Sequence, residues 1–366
     1  MDDNSTSQNI SQDMTDKLEL DSNIPHKMKL LNPNIKSYYN NNFINATIHC
    51  LTNIKGFIRD IYSSANVVEN GQIFYNMITS IYEDIKEKKE KYDPESFHKQ
   101  ILIKLHIFED KTLREPRVLI EYIFNNLLIV DREIYSEVLS YVDSSNIQLN
   151  SFSLNISNLE KKNFEPDKTK YNIKKIRICS NQDCKAESYF YKAFKLLKFY
   201  LNDKNKEYSI YDCFLDFLKN ESKKTEYKCS HCSKNSDSES KTSFFFLPDY
   251  LILLIYYGKD NNCQDFYYKI EDELDFTDKD YIDAKIPNKK YILWSIIFCK
   301  FPKEEEKEIF YTYVIKDKNY IVYNNNDIRE HEIKSNGIKH LKKLKTSDFN
   351  KERSFPYVLI YTAIKK

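Results

Sequence analysis

Close to residue 150 the chain changes its hydrophobic period. Upstream, apolar side chains recur every three or four residues. Ile73, Phe74, Met77, Ile78, Ile81, Tyr82 and Ile85 mark one helix face, and Glu87-Lys88-Lys89-Glu90-Lys91 ends that stretch in solvent. Asp93-Pro94-Glu95 reads as a further helix start, with Asp93 capping, Pro94 in the first turn, and Phe97, Ile101 and Leu105 as the buried stripe. Downstream, from about Ser151, short runs rich in Tyr, Phe and Ile take over at 153–156, 190–201, 244–255, 291–301, 311–315, 320–323 and 357–361. Such runs favour strands. One helical stretch, 211–218, interrupts them. A helical front and a strand-rich back predict an α+β fold, with a cleft where the two halves meet.

The 366 residues, 41% hydrophobic, can bury one large core or two modest ones. Lys and Arg (56) balance Asp and Glu (55), which argues against a dedicated polyanion binder and leaves room only for local basic patches. With only 4 glycines, turns must fall to other residues, asparagine above all, because it tolerates positive φ best. No run approaches the roughly 18–20 apolar residues that span a bilayer, so no membrane partner is expected. Residues 1–27 are polar, have no apolar signal core and read as a disordered leader; residues 28–366 read as the folded unit. Eight unevenly spaced cysteines without an export signal point to a reducing compartment, nucleus or cytoplasm.

Four of those cysteines form two pairs: Cys179-(x4)-Cys184, and Cys229-Ser230-His231-Cys232 after 44 intervening residues. Two such pairs can close one tetrahedral thiolate site, and zinc is the metal it suits. The spacing predicts a closed structural site, in which His231 could replace one ligand; the alternative is four unliganded thiols.

The segment Asn42-Phe43-Ile44-Asn45-Ala46-Thr47-Ile48-His49-Cys50-Leu51 resembles the start of a ubiquitin-specific protease domain, with Asn42 where that family has its nucleophilic cysteine. Further segments follow in the family's order. The helix 211–218 precedes the second cysteine pair, and Leu247-Pro248-Asp249-Tyr250-Leu251-Ile252 is similar to its proline-x-x-leucine-isoleucine strand. Tyr291-Ile292-Leu293-Trp294-Ser295-Ile296-Ile297 is similar to the strand before the catalytic histidine. Ile309-Phe310-Tyr311 places Phe310 at that histidine, and Tyr320-Ile321-Val322-Tyr323-Asn324-Asn325 places Asn325 at the orienting aspartate. Tyr357-Val358-Leu359-Ile360-Tyr361 matches the last strand.

The resemblance runs from about Leu30 to Tyr361. It implies a papain-like ubiquitin-specific protease fold: a helical thumb (about 28–150), then a β-rich palm and zinc-tipped β fingers (about 151–366). It also implies that no catalytic residue is intact, since an amide has no thiolate to attack a carbonyl. Cys50 lies eight residues past Asn42, roughly 12 Å along a helix, beyond the field of the helix N-terminus, and reads as a small core residue. His49 points elsewhere, and His331 and His340 read as surface residues.

Leu31-Asn32-Pro33-Asn34-Ile35-Lys36 followed by Asn45-Ala46-Thr47-Ile48-His49-Cys50-Leu51-Thr52-Asn53 resembles the silent branch of the family associated with the U4/U6.U5 tri-snRNP more closely than it does active members. That branch tends to have lost the finger cysteines, which this chain keeps. The function implied is a non-catalytic binding or assembly factor in pre-mRNA splicing, with spliceosomal proteins or ubiquitin as partners. Two alternatives stand: a divergent active cysteine deubiquitinase, and a ubiquitin-binding module of a larger complex whose cleft Tyr39, Phe310 and Tyr311 would narrow. The basic stretch Ile338-Lys339-His340-Leu341-Lys342-Lys343-Leu344-Lys345 is the one candidate for RNA contact, against the ordinary reading of a solvated helix.

Overall fold

The helices of the front half form where the periodicity places them. In the computed structural model, residues 29–30, 42–54, 72–87, 89–104, 115–127, 171–194, 196–203, 206–222, 225–229, 231–238, 240–257, 267–282, 290–300, 309–316, 319–324, 327–332 and 354–364 are described. A two-residue strand β1 (Lys29–Leu30) is followed by helices α1 (Asn42–Thr52) and α2 (Gln72–Lys86). A second short strand, β2 (Lys91–Tyr92), pairs in parallel with β1. Helix α3 (Glu95–Lys104) starts as expected: the Asp93 carboxylate accepts the Glu95 N–H at 3.0 Å. Pro116 opens α4 (Pro116–Leu127), where a missing N–H costs nothing. Phe74, Met77, Ile78 and Ile81 of α2 are buried, as are Phe97 and Ile101 of α3, and the Phe74 ring meets Phe97 edge-on and leans against Tyr122 of α4.

The back half builds one large sheet and several small ones. Strands β3 (Tyr171–Ile178) and β4 (Glu187–Phe194) make a hairpin, followed by β5 (Leu197–Leu201) and β6 (Glu207–Ser209). Helix α5 (Ile210–Glu221) begins with a capping box: Ser209 Oγ accepts the Asp212 N–H while the Asp212 carboxylate accepts the Ser209 N–H. A second hairpin, β7 (Thr225–Lys228) with β8 (Asn235–Ser238), precedes β9 (Ser240–Phe246), which pairs with β3. Then come β10 (Tyr250–Tyr257), β11 (Tyr267–Lys269), β12 (Glu273–Asp275), β13 (Lys290–Lys300), β14 (Ile309–Lys316), β15 (Asn319–Asn324), β16 (Asp327–Glu332) and β17 (Ser354–Ala363).

The large sheet has eight strands, ordered β16-β15-β14-β13-β17-β10-β5, with β12 pairing the start of β13. It is mixed, since β5 and β10 run parallel and its other pairs run antiparallel. Its centre is apolar on both faces. Leu251 to Ile255 of β10 and Phe355 to Tyr361 of β17 are buried without interruption, the pattern of strands covered on both sides. Helix α5 covers part of the sheet through Phe214, whose ring packs against Phe199, Phe244 and Phe276.

The architecture is thus mixed helix and sheet, with helices in front and strands behind, as the change of period predicts. The runs 190–201 and 244–255 correct that reading in one respect. Each divides into two strands of different sheets, β4 then β5 and β9 then β10, the second split at Leu247-Pro248-Asp249 where proline cannot continue a ladder. The expected strand at 153–156, the leader 1–27, the basic stretch 338–345, Tyr39 and Asn325 lie outside the described residues. No described helix is long and apolar enough to cross a membrane.

Helix α1 lies directly on the sheet. Thr312 Oγ1 of β14 donates to the Ala46 carbonyl at 2.7 Å, and the Trp294 indole N–H of β13 donates to the Asn53 carbonyl. Arg117 locks α4 to the same sheet. Its guanidinium donates to the Ile255 carbonyl at 2.7 Å, pairs with Glu115, and lies between the rings of Tyr256 and Tyr357, 4.3 and 4.1 Å from their centroids.

Candidate functional site

The residues that the sequence ties to catalysis fall on α1 and the strands beneath it. Asn42 is the first residue of α1 and is 9% exposed, so an amide stands at this helix N-terminus. Phe310, at the start of β14, is buried with its ring edge-on to Tyr357 at 5.6 Å. It packs into the core, and Tyr311, also buried, stacks on Phe298 at 5.5 Å.

Cys50 sits in the core as its helical spacing implies. It has no exposed surface, and its sulfur lies 3.3 Å from Ser295 Oγ on β13. Burial pushes its thiol up to about 12, against the smaller opposing effect of the Ser295 hydrogen bond. His49 is equally buried and stacks on Tyr323 at 4.3 Å. Cys213 and Cys299 are buried too, so among the described residues every cysteine outside the 179–232 cluster is a core residue. His331 lies on β16 with its side chain outside the described residues, as is His340 altogether.

One buried histidine went unread in the sequence. His98 of α3 is fully buried, and its Nε2 lies 3.0 Å from Asn45 Oδ1 of α1. An amide oxygen only accepts, so Nε2 carries the proton and Nδ1, which has no hydrogen-bond partner, is bare. Burial pushes this imidazole down to about 3.

The four paired cysteines do come together. The β3–β4 turn carries Cys179 and Cys184, the β7–β8 turn carries Cys229 and Cys232, and all four sulfurs lie within 4.8 Å of one another. Two cross-hairpin separations, Cys179 to Cys232 and Cys184 to Cys229, are each 3.8 Å. That is the edge of a tetrahedron whose centre is about 2.3 Å from each corner, so the gap fits a zinc-sized ion.

The two turns are built alike. The N–H of Cys179 donates to the Ala186 carbonyl and that of Cys229 to the Lys234 carbonyl, both at 2.9 Å, closing each loop. The residue after the second cysteine takes positive φ in both, 45° at Lys185 and 59° at Ser233. This turns the next N–H, of Ala186 or Lys234, onto the sulfur of Cys184 or Cys232. Ser180 joins the two loops, its N–H donating to Ser236 Oγ at 2.8 Å, and the Asn181 amide reaches Cys232 Sγ at 3.8 Å.

These donors prepare the sulfurs for charge. The Lys234 N–H does most to draw the Cys232 thiol down to about 6. The Ala186 N–H acts likewise on Cys184, but lost water and the three neighbouring sulfurs outweigh it and raise that thiol to about 12. The thiolate form, favoured at Cys232, is the one that a soft cation binds. Spacing identified the four cysteines that cluster; nothing in it marked Lys185 and Ser233, which stand where glycine is the usual choice. Neither a scan against protein-family models nor a search of curated proteins finds a match to this chain.

Proposed function

We propose that this chain is a catalytically silent protein of the ubiquitin-specific protease type, acting as a binding and assembly factor through protein contacts. The observation that carries this reading is the state of α1: an amide at its first residue, and its one thiol, Cys50, sealed in the core with a raised pKa. Phe310 adds to it, because a buried phenyl ring offers no base within reach of any nucleophile. The paired hairpins fit the zinc-tipped fingers that the resemblance implies. With four sulfurs within 4.8 Å of one another, Cys179, Cys184, Cys229 and Cys232 would hold zinc with no open position, and the bound ion would supply cross-linking and folding energy, not chemistry. The match of Leu31 to Lys36 and Asn45 to Asn53 with the tri-snRNP-associated branch makes spliceosomal proteins the first partners to test, in the nucleus.

The test is reaction of the purified protein with ubiquitin carrying a C-terminal propargyl or vinyl-methyl-ester warhead, read by intact mass beside an active protease. No adduct is expected. An adduct mapped to any cysteine of this chain would overturn the reading and establish an active deubiquitinase. Affinity capture from nuclear extract then separates the partners: spliceosomal proteins support the assembly role, while ubiquitin conjugates alone would favour a ubiquitin-binding module.

A further inference from the structure

We propose that His231 is a reserve metal ligand, taking the corner of Cys184 so that the paired hairpin tips hold one ion either as four cysteines or as three cysteines and a histidine. This rests on the metal reading of the same site and adds a second coordination state to it.

The geometry places His231 beside one corner and not the others. Its Nδ1 lies 3.7 Å from Cys184 Sγ. A nitrogen and a sulfur on one tetrahedral zinc would be about 3.6 Å apart, so the imidazole stands one coordination edge from that sulfur. It remains outside the group of four atoms that lie within 4.8 Å of one another, and is therefore no fifth ligand while Cys184 is in place.

Burial tells which corner can exchange. Cys179 and Cys229 are buried, whereas Cys184 and Cys232 are partly exposed and His231 is exposed. A side chain swinging in from solvent at the Cys184 corner displaces no core atom. The protein loop favours this corner as well, since Cys184 ends the longer, four-residue spacer. Electrostatics permits the exchange. Four thiolates around a divalent ion leave a net charge of about −2, and a neutral imidazole in place of one leaves about −1, within the range of ordinary structural zinc sites.

Cobalt(II) titration of the full chain tests this, because the thiolate-to-metal charge-transfer band reports the number of sulfurs and the visible bands report tetrahedral geometry. The wild-type protein should give a four-sulfur tetrahedral spectrum; if it binds no cobalt, and zinc does not compete, the metal reading itself fails. Cys184→Ala should keep a tetrahedral spectrum with about three-quarters of the charge-transfer intensity, whereas Cys179→Ala, at a buried corner without an adjacent imidazole, should lose it. Adding His231→Ala to Cys184→Ala should weaken binding by more than the ~10–100-fold that loss of an outer-shell partner costs. His231→Ala alone should leave the four-sulfur spectrum intact. Equal binding by Cys184→Ala and the double variant would overturn the proposal, as would a four-sulfur spectrum that His231→Ala abolishes. Circular dichroism checks each fold, and Cys184→Ser with and without His231→Ala repeats the comparison should alanine unfold the tip.

Discussion

Asn45 decides the protonation of His98. By accepting from Nε2 at 3.0 Å it leaves Nδ1 bare in a fully buried place, and a second proton there would meet neither water nor an acceptor. The native state therefore holds the neutral ring down to about pH 3, whereas the unfolded chain protonates it near 6.5. A depressed native pKa means stability is fully present above 6.5 and is lost as pH falls, by about 1.4 kcal/mol per unit. Urea unfolding at pH 6.5 and 4.5 should thus show a steeper acid loss in the wild-type protein than in His98→Gln. Equal slopes would show that another group governs acid unfolding. The sequence made Cys50 legible as core, because eight residues from Asn42 along a helix is a fixed displacement. It did not make His98 legible, because the partner lies 53 residues away and only tertiary packing brings it to Asn45.

At the scale of the element, the two cysteine turns are the same device built from different spacers, four residues in one and two in the other. Both turn through a left-handed residue, and both do so without glycine. A Cβ at that conformation costs about 1–2 kcal/mol, partly offset by glycine's greater freedom in the unfolded chain. Ser233→Gly, or Lys185→Gly, should therefore stabilise by about 0.5–1 kcal/mol and raise Tm by a few degrees in differential scanning calorimetry. A lower Tm would mean that the side chain contributes contacts worth more than the strain. Cysteine spacing revealed the four-sulfur cluster because two pairs suffice to define one site. The strands around them stayed hidden: Asn235-Ser236-Asp237-Ser238 has no apolar alternation and forms β8 only because its partner β7 and the second cysteine turn hold it.

The whole molecule divides its hydrogen-bonded sheets by the kind of support they have. The eight-stranded sheet stands on a continuous apolar core, while the β3–β4 and β7–β8 hairpin tips meet through four sulfurs and the Ser180–Ser236 contact. Stripping metal from a loaded sample with a strong chelator should therefore speed amide exchange at 178–186 and 228–236 by about tenfold or more, with β10, β13 and β17 unchanged. Uniform acceleration would instead mean that the tips hold the whole fold together. Helices before strands could be foreseen from the change of period. Strand order could not, since nothing local to 354–363 says that it inserts between β10 and β13.

That insertion has a consequence for the chain as it leaves the ribosome. β10 and β13 are made first yet never pair with each other; each waits for β17, which bridges them across a separation of about 100 residues in the case of β10. Until residues 354–363 emerge, the nascent chain holds two half-sheets with open apolar edges, and the Arg117 guanidinium has Tyr256 on one side but lacks the Tyr357 ring on the other. β17 is the keystone of this sheet, which closes only once residues 354–363 have emerged, and the interval before that is when chaperones have most to cover.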